Sequence, residues 1–204
     1  MSNLTHKDLC KLAVKWLQRP NSQKGHGCEI ALSECTSGWD GECPDAIGFK
    51  LTMRGAESTV VEVKVSRSDF LSDKNKPHRN GSEVGLGRWR YYMCPEGIIK
   101  PEDLPPKFGL LYVNNRGHIK HIVSPFVTKD WRDVSDWMTG NTHESNHGRE
   151  VFLLARILRR FPDLETFNEK YKEISRHNAS LVKTIESQRE KIRSISWRNM
   201  GEAV

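Results

Sequence analysis

Apolar residues first recur at helical spacing, with Leu9, Leu12, Ala13, Trp16 and Leu17 on one face behind Thr5 and Asp8, which are placed as in a capping box. A helix over about 5–18 follows, stopped by Pro20. The period then changes. Residues 28–35 (CEIALSEC), 44–53 (PDAIGFKLTM) and 58–66 (STVVEVKVS) read as strands, the last two joined by a turn over 54–57 into an antiparallel hairpin. Residues 68–75 read as a short helix. Residues 89–94, 108–113 and 119–123 are further strands, separated by Pro-rich and Asn-Asn-Arg-Gly turns. The elements up to about residue 125 make a sheet domain with helices.

Residues 126–161 read as a connecting segment that ends in a helix over 148–161, with Val151, Leu154, Ala155 and Leu158 on one face. From 162 onward the pattern changes again. Leu164, Phe167, Tyr171, Ile174, Asn178, Leu181, Ile185, Gln188, Ile192 and Ile195 alternate in steps of three and four, and only Asn178 and Gln188 among them are polar. Such a seam is that of a coiled coil, and polar residues within it are the kind that fix register and strand number. At about 1.5 Å per residue the helix is roughly 50 Å long, more than a domain of this size can cover. A homodimer through the tail, pairing within the chain and a surface for another protein are the three ways to bury the seam.

The 204 residues suffice for one catalytic unit with an appendage. A formal charge of +6 favours a polyanionic partner. No run of 18 apolar residues occurs and the first residues are polar, so the expectation is a cytoplasmic protein with no membrane partner. Five cysteines in a chain without an export signal argue for free thiols. His26, Cys28, Cys35 and Cys43 crowd together, but their spacing is not that of paired zinc knuckles, so a zinc-binding adaptor is the lesser alternative.

The informative chemistry lies on the hairpin. Glu62 and Lys64 are two apart in a strand and project to one face, and Asp45, near the far end of the facing strand, can approach Glu62 across the pair. Two carboxylates about 4 Å apart repel by on the order of 4 kcal/mol at an effective dielectric of 20. A divalent cation removes that repulsion, and oxygen ligands suit Mg²⁺ or Mn²⁺. A solvated strand face with a cross-strand ion pair would use the same residues.

Pro44-Asp45 followed by Glu62-Val63-Lys64 resembles the PD-(D/E)xK nuclease signature. The stretches VVEVKVSRSDFLSDK (60–74), RYYMCPEG (90–97) and FGLLYV (108–113) are similar, more narrowly, to the MmcB-like group and its phage relatives, over about residues 5–123. The resemblance implies an α/β, restriction-endonuclease-like mixed sheet flanked by helices, here with a long C-terminal helix added. It implies a Mg²⁺- or Mn²⁺-dependent endonuclease acting on DNA, in repair, restriction or phage DNA metabolism. Asp45 and Glu62 would ligate metal, the Val63 carbonyl would add a ligand, and Lys64 would position or activate water. Glu34 is the candidate for an additional acidic residue, with Glu29 as alternative; Asp73 and Lys74 also occur in the family segment.

Lys74, Lys76, His78, Arg79, Arg88 and Arg90 stand near Trp89, Tyr91 and Tyr92, and a basic loop with aromatics suits phosphate contacts and stacking. For the aromatics a place in the core is the stronger expectation. The glycine-containing insertion between Lys74 and Arg90 departs from the family pattern. Ser66 and Asp69 could support Lys64 or cap the following helix, and for Ser66 the cap is the stronger expectation. A non-catalytic nucleic-acid- or protein-binding module on the same fold is the competing functional class.

Overall fold

The computed structural model describes residues 4–38, 41–53, 55–73, 83–125, 140–160 and 163–201, with the backbone alone at 164 and 194–201. It divides into two compact units, 1–155 and 156–204.

In the first unit α1 (His6–Gln18) begins where expected. The Thr5 hydroxyl accepts from the Asp8 N–H, and the Asp8 carboxylate accepts from the Thr5 N–H. Its buried face is Leu9, Cys10, Ala13, Trp16 and Leu17. The strands are β1 (Ile30–Ser33), β2 (Ala46–Thr52), β3 (Gly55–Val63), β4 (Trp89–Pro95), β5 (Phe108–Val113) and β6 (Ile119–Val123), with α2 (Arg67–Ser72) between β3 and β4. They form one sheet in sequence order. β1–β2–β3 and β5–β6 pair antiparallel, whereas β3–β4 and β4–β5 pair parallel. The architecture is thus an α/β mixed sheet with flanking helices and, in the second unit, a long C-terminal helix.

Alternation along the strands divides the core in two. Val61, Val63, Trp89, Tyr91, Met93, Leu111 and Val113 pack with α1. Tyr92, Cys94, Phe108 and Leu110, on the other face, pack with Phe70 of α2 and with Ile99. Trp89, Tyr91 and Tyr92 are all buried, in keeping with the core role expected for them.

The hairpin corrects one expectation. The strands close on the Thr52–Gly55 pair, and Ala46 faces Val61. A turn over 54–57 would have closed on Met53 and Ser58 and set Asp45 level with Ser66. The tighter turn shifts the register by four residues and brings Asp45 level with Glu62. Gly55 (φ 118°) supplies the backbone conformation that the turn requires and that most side chains resist.

The first unit also extends past residue 125. The His143 and Asn146 N–H groups donate to the Arg88 and Gly85 carbonyls, and the Ser58 hydroxyl donates to Glu150 of α3 (His147–Leu158) at 2.6 Å. Residues 143–150, within the segment expected to connect the sheet domain to the tail, therefore lie against β3 and the loop before β4. In the second unit α4 (Leu164–Gly201) is one continuous helix of 38 residues. All described side chains from Glu165 to Arg193 are exposed, including the seam residues Phe167, Tyr171, Ile174, Leu181, Ile185 and Ile192. No helix of the described residues is long and apolar enough to cross a membrane.

Candidate functional site

β3 ends at Val63, and the chain beyond it keeps pairing for one more residue, since the Lys64 N–H donates to the Met93 carbonyl at 2.9 Å. Glu62 and Lys64 therefore point to the same face, away from α1. Glu62 lies beside Tyr92 in the parallel ladder. Both residues are 3% exposed, which is rare for charged side chains unless they are partnered.

The partners come from α2. Ser66 caps it by accepting from the Asp69 N–H at 3.2 Å, as the sequence suggested. Asp69 and Asp73 are four apart and share a helix face. The Lys64 amine lies 2.9 Å from Asp73, 3.7 Å from Asp69 and 4.0 Å from Glu62. The other Asp73 oxygen accepts from the Tyr92 hydroxyl at 2.8 Å. Phe70 meets the Tyr92 ring edge-on at 5.1 Å, and Arg67 pairs with Asp103 on the outside of the helix. α2 is thereby fixed on both sides, and Asp73 with it.

Asp45 stands just before β2. One of its oxygens accepts from the Val63 N–H at 2.7 Å, so the carboxylate caps the end of the β3 ladder. Its other oxygen lies 3.2 Å from His6 Nε2. Glu34 is exposed and left-handed (φ 52°), and its N–H donates to the Asp45 carbonyl at 3.3 Å. The electrostatics place these acids in one field. The Cys10 thiol is pushed up to about 12, mainly by burial and then by Asp45, Glu34 and Glu62. Cys43 is raised for the same reasons. Asp45, Glu62, Lys64 and Glu34 are thus brought to one end of the sheet.

Other expectations are redirected. Glu29 lies at the far end of β1 and accepts from the Leu51 N–H at 2.8 Å, away from Asp45. Arg90 is buried, and its guanidinium donates to the Gly87 and Glu144 carbonyls, holding loop backbone rather than facing a phosphate. Arg88 is half-buried and its N–H donates to Ser58. Lys74, Lys76, His78 and Arg79 lie outside the described residues.

The proposed zinc group does not assemble. His26 Nε2 is 2.7 Å from the Thr59 hydroxyl, and burial, with Lys50 and His121, pushes its pKa down to about 3. Cys28 belongs to the core against α1, whereas the Cys35 thiol donates to the Ser33 carbonyl at 3.4 Å and Cys43 is exposed. All five cysteines are free thiols.

Three residues of this end escaped the sequence reading in such a role: Tyr92, His6 and Cys10. The only signal for the last two was their spacing of four on α1, which puts both on one face.

No family model matches the chain, and none of the curated proteins does. Among solved structures, the chain is similar to the SPO1766 protein of unknown function from Silicibacter pomeroyi, with a TM-score of 0.49 and 17% identity over 78% of this chain and 90% of that one.

Proposed function

We propose that the protein is a divalent-metal-dependent nuclease that hydrolyses DNA phosphodiester bonds at the end of β3. The observation that carries this reading is the convergence of acid there: among the described residues, Glu62, Asp69 and Asp73 lie within 4.0 Å of the Lys64 amine, with Asp45 level with Glu62. Carboxylates gathered at one point are the kind of oxygen donors that suit a hard divalent cation.

The donor chemistry fits Mg²⁺ or Mn²⁺, because Asp45, Glu62 and the Val63 carbonyl offer hard oxygen ligands. When bound, the cation supplies Lewis-acid polarisation of phosphate and water. The residues of the chain do the rest. Asp73, itself held by Tyr92, fixes the Lys64 amine beside Glu62. An amine so fixed can hold a water by hydrogen bonding and offset negative charge developing on a phosphate oxygen. Asp73 and Tyr92 are positioning residues in this scheme. The net charge of +6 and the basic residues Lys74, Lys76 and Arg79 favour a DNA partner.

The exposed seam of α4 makes a second copy of the chain the proposed protein partner. Two sites in one particle would serve cleavage of both strands. Sedimentation should give a dimer at micromolar concentration, and a monomer there would remove this part.

A non-catalytic binding module on the same fold is the second reading. The burial of the Lys64 side chain, 4% exposed, favours it. Incubation of the protein with duplex, flap and single-stranded DNA separates the two. Cleavage is expected only with added Mg²⁺ or Mn²⁺, and Asp45→Asn should lower it at least about a hundredfold, comparable to the loss of one electrostatic group in an active site. Absence of cleavage by the wild-type protein on every substrate would leave the binding module.

A further inference from the structure

We infer that His6, Cys10 and Asp45 form a second, softer cation site, one that takes Zn²⁺ or a similar borderline transition metal and shares Asp45 with the acid cluster. One atom from each side chain can be chosen so that all three lie within 4.8 Å of one another. His6 Nε2 is 3.2 Å from Asp45 Oδ1. The Cys10 sulfur is 3.5 Å from His6 Nδ1 and 4.0 Å from Nε2.

The nitrogen-to-oxygen separation resembles an edge of a coordination tetrahedron, and the sulfur-to-Nε2 separation is somewhat wider than one. Nitrogen and oxygen ligands at about 2.0–2.1 Å from zinc stand about 3.3 Å apart, and sulfur at about 2.3 Å stands about 3.5 Å from nitrogen. The sulfur lies nearer Nδ1 whereas Asp45 faces Nε2, so the His6 ring, at the solvent edge with 41% of its side chain exposed, must turn to present one nitrogen to the metal that the other two ligands hold.

The scaffold is also that of a built site. His6 and Cys10 are four apart on α1, one face of a capped helix. Asp45 is held from behind, because its Oδ2 accepts the Val63 N–H while Oδ1 is turned to His6. A hydrogen bond to the rear of a ligating carboxylate is the usual means of orienting it. A thiol and an imidazole select a borderline metal over Mg²⁺, which prefers oxygen. Three protein ligands leave a fourth position for water. Metal binding would release the Cys10 proton to solvent.

Binding does not depend on the nuclease reading, but one consequence does. If Asp45 serves the Mg²⁺ site, zinc drawn onto His6 and Cys10 takes that carboxylate away and inhibits cleavage.

The direct experiment is titration of the full-length reduced protein with Co²⁺, in the absence of Mg²⁺, followed by absorption spectroscopy. A near-ultraviolet thiolate-to-cobalt charge-transfer band is expected, displaced by one equivalent of Zn²⁺. Cys10→Ser should abolish the band. His6→Ala, at a more exposed position, should weaken Co²⁺ binding at least about tenfold, since even outer-shell partners are worth that much. Cys43→Ser should keep the band.

Circular dichroism would verify that each variant is folded. Absence of the band in the wild-type protein, its persistence in Cys10→Ser, or its loss in Cys43→Ser would overturn the site. Zinc inhibition of cleavage, relieved in His6→Ala, would be a separate readout. A cobalt band without any Mg²⁺-dependent cleavage would retain the soft site and remove the nuclease.

Discussion

Two buried polar clusters lie on one face of β3, with Val60 between them, and they are built on opposite plans. Around Ser58, the carboxylate of Glu150 accepts from the Ser58 hydroxyl and the Gly87 N–H, and Glu42 accepts from the Leu86 N–H at 2.7 Å. Arg90 completes that cluster by donating to the Gly87 carbonyl. Gly87 itself (φ 83°) runs so close that a Cβ would meet Val60 at 2.7 Å, so the loop must be clasped with its backbone against the strand. There, backbone and hydroxyl donors meet Glu150 and Glu42, and His147 lies 3.3 Å from the second Glu150 oxygen. Around Lys64, three acids converge on one amine. The first cluster holds a loop against the strand, whereas the second gathers carboxylates around an amine at the end of the strand, an arrangement of oxygen donors that suits a cation.

The sharpest way to break the contrast is Lys64→Ala. It leaves Asp73, 1% exposed, without its amine, and removal of one partner from a buried pair costs about 3–5 kcal/mol. Urea unfolding should show that loss, and a much smaller one would mean that the remaining partners of Asp73, the Tyr92 hydroxyl among them, satisfy it. The activity of this variant is therefore a poor guide to chemistry.

Glu150→Ala tests the other cluster. Loss of its hydrogen bonds to Ser58 and Gly87 should cost about 2–3 kcal/mol by the same measurement, with Mg²⁺-dependent cleavage per folded molecule unchanged. A fall in cleavage beyond the fall in folded protein would blur the division.

His26, on the α1 face of β3, supplies a pH effect. Its folded pKa of about 3 lies below the ordinary 6.5, so the unfolded chain takes up the proton first. Its contribution is complete above pH 6.5 and is lost as the pH falls toward 3, at up to about 1.4 kcal/mol per unit. His26→Gln should therefore lose less stability than wild type between pH 6 and 4. Equal slopes would exclude His26 as the acid-sensitive group.

The smallest expected effect on stability is that of Asp45→Asn. The amide oxygen can still accept the Val63 N–H, so unfolding should shift by less than about 1 kcal/mol while cleavage collapses. A large loss of stability would make Asp45 a structural cap.

The local elements were legible in the sequence because each is fixed by near neighbours. Thr5 and Asp8 start α1, Ser66 starts α2, and alternation in Trp89–Pro95 and Phe108–Val113 gives strands whose positions match the expectation closely. Glu62 and Lys64 were legible as a pair for the same reason, a period of two. The turn was not, because the Thr52–Gly55 closure depends on matching two strands along their length, and the choice moves Asp45 by four positions.

Asp73 and Tyr92 were legible as residues but not as partners, since nineteen positions of chain separate them and only docking of Phe70 joins them. Arg90 shows the opposite failure. Its charge suggested a phosphate, but the fold spends it on the Gly87 and Glu144 carbonyls. What the sequence determined by itself was periodicity, caps and the chemical types available at the end of β3. Tertiary structure decided which acids surround Lys64, and that Asp45 faces both Val63 and His6, because such contacts arise from strand register and helix docking, which no local spacing encodes.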